Sequence, residues 1–335
     1  MNSSTVDSRP SGPEYSDAWS QYWKHGSLTT FYGGEFEVGY SGEVAEFWES
    51  CFSALPKRSS IVDLATGNGA IPFIAARISD QQDKDFDIVG VDYADIRLPD
   101  DPKIRAQMEN VSLLSNRSME ATGIDPASID LISSQYGFEY GQQDQALDEI
   151  DRMLRSNGQL ALVLHHPDSA VVKQAKREYQ QTRMCINEER LDRKVRDLVK
   201  VIGDARTPEQ RSKLKFNQEA EKRREQINRT MGRILRRVQG EDDSHIHQVA
   251  QSFLRVFADL NSQSKQAKLD FIAKSSAEFL AYAGRMESMS AATLSEDGFS
   301  ALITELERRG FKLIKDQLLR SPDNQLIARS LLCQK

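Results

Sequence analysis

Two adjacent histidines close a short apolar segment, and histidine is the side chain best suited to proton transfer near neutral pH. His165 and His166 follow the strand predicted over residues 159–164. Successive side chains of a strand point to opposite faces, so one of the two is expected to face a substrate cleft. The alternative is that both only finish the strand and bond backbone carbonyls. Three further proton-transfer candidates follow another predicted strand: Tyr136, Glu139 and Tyr140.

A glycine-containing turn follows the first predicted strand, in the segment VDLATGNG that runs from Val62 to Gly69. Glycine allows the backbone to approach a ligand closely, because no Cβ stands in the way. The helix predicted after this turn adds unpaired N–H groups and the positive end of its dipole. The pattern favours a ligand site, and the alternative is a tight strand-to-helix turn that binds nothing.

Asp92 ends the next predicted strand, 25 positions after Gly67. A carboxylate at this place can accept hydrogen bonds from both hydroxyls of a ribose. Its register with the glycine turn favours that role over a solvated aspartate. NAD or FAD is the main competing ligand for such a turn. A dinucleotide fingerprint requires a third glycine three residues after the second, and this chain has Pro72 there.

The elements that must position these residues follow an α/β pattern. Strands alternating with helices predict a doubly wound, mostly parallel sheet with helices on both faces. Right-handed crossovers then place the carboxyl ends of the strands, and a ligand crevice, at one edge. After a helix that ends at Gly310, two strands joined by SerProAspAsn predict a C-terminal antiparallel hairpin. About seven strands are predicted, at residues 60–64, 87–91, 111–114, 129–133, 159–164, 311–319 and 325–333.

A large α-helical insertion is predicted after strand 5, because residues 170–290 contain no convincing strand. One helix is predicted over 171–200. A second starts at the capping box Thr207-Pro208-Glu209-Gln210 with Phe216 on its apolar side, and two more follow. The position after His166 favours a lid over the substrate, and the apolar stripes favour a homodimer contact. The predicted organisation is a disordered tail (1–17), an N-terminal helical cap (18–60), a ligand-binding core (61–168), the insertion (169–292) and the end of the core (293–335).

Charge is distributed unevenly along the chain. Residues 171–240 carry 20 Lys and Arg against 10 Asp and Glu, a net of +10 in a chain whose total is −6. Such asymmetry can mark a surface for RNA or another anionic ligand. Mixed-sign pairs at helical spacing on a solvated face are the favoured explanation, since Tyr179 and Phe216 are the only aromatics there for base stacking. A nucleic-acid partner is therefore considered but not favoured.

Four segments, in order, resemble the class I (Rossmann-like) S-adenosylmethionine-dependent methyltransferases. VDLATGNG is similar to the first motif of that family, GVDYAD to its acidic second motif and DLISSQYGFEY to its fourth-strand segment. The last helix and hairpin are similar to the family's closing elements. The resemblance covers residues 61–168 and 293–335 but not 170–290, and it implies that S-adenosylmethionine is the cofactor.

The resemblance also implies roles for individual residues. Gly67 and Gly69 would line the methionine moiety of the cofactor, with Asp63 receiving its amino group. Asp92 would hold the ribose, and Tyr93 would pack against the adenine. Ser118 stands where the family often has an aspartate, which is a departure from its pattern. The cofactor set implied is Asp63, Ala65, Thr66, Gly67, Asn68, Gly69, Asp92, Tyr93, Ser118, Met119 and Gln135.

Methyl transfer from a sulfonium is an in-line displacement in which the protein mainly aligns the acceptor and excludes water. A base is needed only where the acceptor must lose a proton. The expected function is methyl transfer to an O or N atom of a small molecule. The alternatives are an RNA or protein methyltransferase that uses the basic insertion, and a non-catalytic cofactor-binding protein with a role in assembly or regulation. The catalytic candidates are His165, His166, Tyr136 and Glu139.

Composition sets the remaining expectations. The 39% hydrophobic and 28% charged content is typical of a soluble globular protein. The first 17 residues lack the features of a signal peptide, and no apolar run approaches the about 20 residues of a membrane span. Cys51, Cys185 and Cys333 are too scattered for a disulfide framework or a metal site. We therefore expect a cytoplasmic protein with no membrane contact and no metal.

Overall fold

The computed structural model describes residues 19–20, 22–24, 28–29, 40–258 and 263–335. The tail predicted to be disordered, 1–17, lies outside these residues, as does much of the predicted cap. The chain divides into two compact units, one made of residues 1–174 and 288–335 and the other of 175–287. The helices are α1 (Gly42–Ala54), α2 (Ala70–Gln81), α3 (Pro102–Gln107), α4 (Gln143–Met153), α5 (Ala170–Arg183), α6 (Leu191–Ile202), α7 (Pro208–Leu214), α8 (Gln218–Arg237), α9 (Ser244–Leu254), α10 (Lys265–Ala292) and α11 (Glu296–Arg308).

Seven strands of the first unit form one sheet with the order β3-β2-β1-β4-β5-β7-β6. β1 to β5 run parallel to one another, and β7 is antiparallel to both β5 and β6. The predicted doubly wound, mostly parallel sheet with a C-terminal antiparallel hairpin is therefore confirmed. The strands are β1 (Ser60–Leu64), β2 (Asp87–Val91), β3 (Val111–Leu114), β4 (Ile129–Gln135), β5 (Leu154–Leu164), β6 (Lys312–Arg320) and β7 (Leu326–Gln334).

Each face of the sheet is covered by helices, because alternate side chains of the apolar strands point to opposite sides. In β1, Val62 and Leu64 pack into a core that includes residues of α4 and α11. Ile61 packs into a second core, which includes residues of α1 and α2. Chain order reverses between β1 and β4, so the carboxyl ends of these strands flank the crevice in which such folds bind ligands.

Two strands differ in length from the prediction. β4 continues to Gln135, two residues beyond its predicted end. β5 begins at Leu154, although SerAsnGly at 156–158 predicts a turn there. Leu154 already pairs with Ile129, and the register then shifts so that Gln159 pairs with Leu131. The turn residues are therefore extra residues within a bulged strand, where they leave the pairing on both sides intact.

The second unit is helical but more divided than the sequence predicts. The helix predicted over 171–200 is broken by a π-helical turn at Met184–Glu188 and by Arg190, whose φ is +50°. The capping box at Thr207 forms as predicted, but α7 ends at Leu214. Asn217 then caps a new helix by accepting a hydrogen bond from the Ala220 N–H at 3.0 Å.

Phe216 lies between α7 and α8 and is 87% exposed, so its predicted place on an apolar stripe was wrong. The second unit has its own core, built from residues such as Val195 of α6, Ile227 of α8 and Phe253 of α9. No helix among the residues described is both long and apolar enough to cross a membrane.

Candidate active site

The loop after β1 is tied to the end of β2 by two backbone donors. The Thr66 N–H donates to the Val91 carbonyl at 3.0 Å, and the Gly67 N–H donates to Asp92 Oδ2 at 2.7 Å. Gly67 and Gly69 have φ values of +54° and +94°, a region in which glycine carries no steric cost. The glycines therefore allow the loop to turn sharply enough to meet Asp92, the residue that the sequence pairs with it.

Asp92 is held rigidly. Its Oδ2 accepts from Gly67, and its Oδ1 accepts from the Ala94 N–H at 2.8 Å. Burial raises the pKa of this carboxyl to about 6, and the two backbone hydrogen bonds oppose that rise. A carboxylate has about four acceptor positions, so about two remain for the hydroxyls of a ligand.

Asp63 is a second buried carboxyl, on the last part of β1. The Ser133 hydroxyl donates to its Oδ1 at 2.7 Å. Burial raises the pKa of Asp63 to about 7, while the hydrogen bond from Ser133 acts in the opposite direction. Neither Asp63 nor Asp92 forms a salt bridge within the part of the chain that the structure describes. Two buried carboxyls without a cation suit a positively charged ligand.

The raised pKa of Asp63 predicts how stability depends on pH. The folded protein keeps this proton up to about pH 7, whereas the unfolded chain loses it near the ordinary aspartate pKa of 3.8. The folded state therefore binds more protons between these values, and its free energy of unfolding falls as pH rises, by on the order of 1 kcal/mol per unit. Asp63→Asn removes this titration while keeping an acceptor for Ser133.

Urea unfolding of the wild type and Asp63→Asn from pH 4 to 8 tests this. The stability of the wild type relative to the variant should fall up to about pH 7 and then level off. Asp92 titrates in both proteins, so the part of its contribution that is independent of Asp63 cancels in the difference. If the free energy of unfolding of the wild type minus that of Asp63→Asn stays constant or rises with pH, Asp63 is ionised in the folded state.

A cavity of about 480 Å³ lies at the carboxyl edge of the sheet. This volume lies within the range of small-molecule sites. The walls include most of the residues predicted from the sequence: Asp63, Ala65, Thr66, Asp92, Tyr93, Ser118, Met119, Gln135, Tyr136 and His165. Five predicted residues do not line it: Gly67, Asn68, Gly69, Glu139 and His166.

The first three of these five are covered by other side chains. A Cβ added to Gly67 would lie 2.5 Å from the Trp23 ring, so this ring stands directly over the glycine. The Asn68 amide is buried and donates to the Trp23 carbonyl at 2.9 Å. Gly69 faces Met108. Residues 67–69 of the loop therefore lie behind the cavity wall, and Trp23 forms the surface in front of them.

Substitution of Gly67 tests this packing. Gly67→Ala should lower the free energy of unfolding by more than the about 1 kcal/mol that a left-handed alanine costs, because Trp23 must also move. Gly310→Ala is the matched control, since Gly310 also has a positive φ but has nothing within 4 Å of an added Cβ. Urea unfolding should rank Gly67→Ala as clearly the more destabilised, and equal losses would contradict the contact.

His165 lies at the end of β5 and is paired with a fully buried carboxylate. The His165 backbone N–H donates to Glu139 Oε1 at 2.9 Å, and ring Nδ1 lies 2.7 Å from the same oxygen. We assign the Nδ1–H tautomer of the neutral ring, because that oxygen is an acceptor. Nε2 is then the unprotonated nitrogen. Glu139 therefore stands behind His165 and not in the cavity wall.

Two tyrosine rings hold the His165 imidazole in place. The Tyr136 ring lies 4.3 Å from it between centroids, and the Tyr140 ring meets it edge-on at 6.2 Å. Tyr136 has a φ of +53°, which turns the chain immediately after β4. The Tyr140 hydroxyl is buried and has no hydrogen-bond partner within the described residues.

The His166 side chain points to the opposite side from that of His165, because successive side chains of a strand alternate. Its Nε2 lies 2.7 Å from Glu296 Oε1, and its Nδ1 accepts from the Asp168 N–H at 3.1 Å. The ring also stacks on Phe299, with the centroids 5.9 Å apart. Both nitrogens are therefore engaged away from the cavity, and His165 is the one of the two that lines it.

Several wall residues escape sequence reasoning. Trp19 and Trp23 belong to a segment without clear periodicity, and only their aromatic size hints at a role. Glu120 also lines the cavity, where its carboxylate accepts from the Ser118 hydroxyl and from the Gln142 N–H at 2.7 Å. A carboxylate therefore stands two positions after the serine that departs from the family pattern.

Comparison with known proteins identifies the class. A family model described as a methyltransferase domain matches residues 55–224, half of the chain. The chain therefore belongs to this family of methyltransferase domains. The match confirms the expected class I, S-adenosylmethionine-dependent methyltransferase, with S-adenosylmethionine as the cofactor. Among curated protein sequences no match is found.

Several solved structures are similar to the chain at low identity. A putative S-adenosylmethionine-dependent methyltransferase of Methanococcus maripaludis is 21% identical over 36% of this chain and 52% of that one, with a TM-score of 0.28. Geranyl diphosphate C-methyltransferase of Streptomyces coelicolor is 16% identical over 49% and 72%, with a TM-score of 0.34. A Burkholderia thailandensis 1,6-didemethyltoxoflavin N1-methyltransferase is 10% identical over 98% and 93%, with a TM-score of 0.43. The alignment with the first of these spans about half of that protein's length.

Proposed function

We propose that this protein transfers a methyl group from S-adenosylmethionine to an oxygen or nitrogen of a small molecule, and that His165 removes the acceptor's proton. The observation that carries the proposal is the Glu139–His165 pair at the cavity wall, with 2.7 Å between the carboxylate oxygen and Nδ1. A base of this kind is useful only where an acceptor must lose a proton as it is methylated.

The cofactor supplies an electrophilic methyl group when bound. Asp92 would hold the ribose hydroxyls with its remaining acceptor positions. Asp63 would receive the amino group of the methionyl part, and Gln135 would face the same end. Tyr93 and Met119 would contact the adenine. The two buried carboxyls without a salt bridge support this arrangement, since the cofactor carries both an ammonium and a sulfonium.

Proton removal depends on how His165 is held. Glu139 fixes the tautomer by accepting from both the backbone N–H and Nδ1, which leaves Nε2 to accept a proton. The charge of Glu139 then stabilises the imidazolium that forms. Tyr136 and Tyr140 restrict the ring, so no reorientation is required during the reaction. Glu139 acts through His165 and is a positioning residue.

A methyl-transfer screen tests the proposal. The full chain is incubated with cofactor labelled on the methyl group and with separate panels of phenols, N–H heterocycles, RNA and protein. Label should enter a phenol or heterocycle and be reduced by His165→Gln. Transfer into RNA or protein alone would overturn the small-molecule proposal, and cofactor binding without any transfer would favour a non-catalytic role.

The basic segment, residues 171–240, is less suited to RNA binding in the structure than its composition alone suggests. Many of its arginines are paired within the second unit: Arg223 Nε lies 2.7 Å from Glu219, Arg224 Nη2 lies 2.5 Å from Glu221 and Arg233 Nη2 lies 2.6 Å from Glu189. Pairs of this kind neutralise one another on a solvated helical face. RNA as acceptor is therefore the weaker candidate.

Assembly and location complete the proposal. We propose that the protein forms a homodimer through the helical segment, on the basis of its apolar stripes. We also propose a cytoplasmic location, on the basis of composition. The lid role of residues 169–292 stays a prediction. Sedimentation velocity of the full chain tests the dimer, for which a single species of about 38 kDa would be contrary evidence.

A further inference from the structure

A continuous set of aromatic rings follows the cavity wall from the glycine loop to His165. Trp23 stands over Gly67 and lies 6.2 Å from Trp19 between ring centroids, with an angle of 24°. Trp19 meets Tyr140 edge-on at 6.1 Å, and Tyr140 meets His165 edge-on at 6.2 Å. We call the five rings the aromatic wall: Trp23, Trp19, Tyr140, His165 and Tyr136.

The wall favours a flat apolar ligand. Aromatic rings attract other rings in stacked or edge-on arrangements, beyond the gain from burying their area. The side chains of the wall are also restricted by contact with one another, which lowers the entropy lost when a ligand is bound. A flexible aliphatic acceptor would gain less from the same surface.

The charges along the cavity argue against a charged acceptor. Among the described lining residues the acidic ones are Asp63, Asp92 and Glu120, and Arg117 is the basic one. The Arg117 guanidinium is engaged by the Thr122 carbonyl at 2.9 Å. Acidic lining residues therefore outnumber basic ones by three to one, which disfavours a carboxylate or phosphate on the acceptor.

A cationic acceptor also lacks a dedicated partner. The two aspartates are assigned to the cofactor, and Glu120 is held beside Ser118 and Gln142, from which its oxygens accept hydrogen bonds. Beside His165 the rings of Tyr136 and Tyr140 line the cavity, and Glu139 is buried behind the histidine. A cationic group would gain less from these ring faces than the cost of losing its water, so an uncharged group is favoured beside His165.

From the wall and the charges we infer that the methyl acceptor is a neutral, planar aromatic molecule whose O–H or ring N–H is presented to His165. The inference rests on the proposed function and adds the substrate class. In the reaction the acceptor O–H or N–H bond breaks and its proton goes to His165 Nε2. The electron pair that is released forms the new bond to the methyl carbon, as the carbon–sulfur bond of the cofactor breaks.

Binding of four related probes tests the substrate class without turnover. The full chain is titrated calorimetrically with 2-naphthol, with 2-naphthoate, with 2-naphthylmethylammonium and with decahydro-2-naphthol, each with and without S-adenosylhomocysteine. We expect 2-naphthol to bind at least about tenfold more tightly than the anion, the cation or the saturated alcohol. Equal or tighter binding of any of these three, or no binding of 2-naphthol, would overturn the inference.

The wall itself is tested by variants. Trp19→Leu and Tyr140→Leu should each weaken 2-naphthol binding about tenfold. Tyr140→Phe, which keeps the ring, should bind more tightly than Tyr140→Leu. Phe216→Leu is the control and should bind as tightly as the wild type, since that residue is 87% exposed in the second unit. Unchanged binding in both leucine variants of the wall would overturn the stacking argument. Circular dichroism identifies a variant that fails to fold, and the other then decides.

The two proposals fail in different ways. If S-adenosylhomocysteine does not bind, the proposed function fails, whatever the naphthalene probes do. If it binds and the charged or saturated probes are preferred, the proposed function stands and only the neutral aromatic class is wrong.

Discussion

Replacement of His165 by glutamine is expected to lower kcat for an acceptor that must lose a proton by about 100- to 10,000-fold, the usual contribution of a positioned base. KM should rise less than kcat falls, because one ring of the site is lost but the Tyr136 and Tyr140 rings remain to shape it. The measurement is the release of S-adenosylhomocysteine at saturating cofactor, with an acceptor found by the methyl-transfer screen.

The effect should depend on the acidity of the acceptor. A phenol that carries nitro groups is already ionised at neutral pH and needs no base. The anion should bind both proteins weakly, but at saturation the kcat of the variant should be close to that of the wild type with the same phenol. Glu139→Gln should follow the same dependence with a smaller loss, because the imidazole remains but its tautomer is no longer fixed.

His166→Gln is the matched control for His165→Gln. Its nitrogens bond Glu296 and the Asp168 N–H and do not face the cavity, so kcat should stay close to that of the wild type. Equal losses in the two histidine variants, or a loss in His165→Gln that does not depend on acceptor acidity, would contradict the assignment of the base.

Replacement of Asp92 by asparagine is expected to weaken cofactor binding by about 100-fold. Hydrogen bonds to a charged group contribute roughly 1.5–3 kcal/mol each, and the asparagine loses the charge and one acceptor oxygen. It also cannot accept from both the Gly67 and Ala94 N–H groups, so the loop after β1 loses a support. Tryptophan fluorescence measures the affinity, since Trp19 and Trp23 line the cavity.

Asp87→Asn is the control, because Asp87 is an exposed residue at the start of β2, the strand that Asp92 follows. The Asp87→Asn variant should bind the cofactor as tightly as the wild type does. An Asp92→Asn protein that is folded by circular dichroism and binds the cofactor as tightly as the Asp87 variant would show that Asp92 does not hold the ribose.

Sequence reasoning located the parts of the site that depend on local pattern. The apolar strands and the glycine turn have strong signals over a few residues, and they fix the carboxyl edge of the sheet. The spacing between Gly67 and Asp92 alone predicts that Asp92 lies next to the glycine turn. In the folded chain its carboxylate accepts the Gly67 N–H at 2.7 Å.

What the sequence could not predict depends on contacts between distant residues. Trp23 covers Gly67 although the two lie in different elements, and no periodicity marks the segment that carries Trp23. The place of Glu139 behind His165 is set by the 3-10 turn at Phe138–Tyr140, whose direction the residue types do not reveal. The helix break at Arg190 requires a positive φ at a residue that ordinarily favours helix.

The central claim is that the cavity beside His165 binds the methyl donor, and calorimetric titration of the full chain with S-adenosylhomocysteine tests it most directly. We expect one molecule bound per chain with a Kd of about 1 µM or lower, and a higher Tm when it is bound. A folded protein that shows neither heat of binding nor a change in Tm would contradict the account.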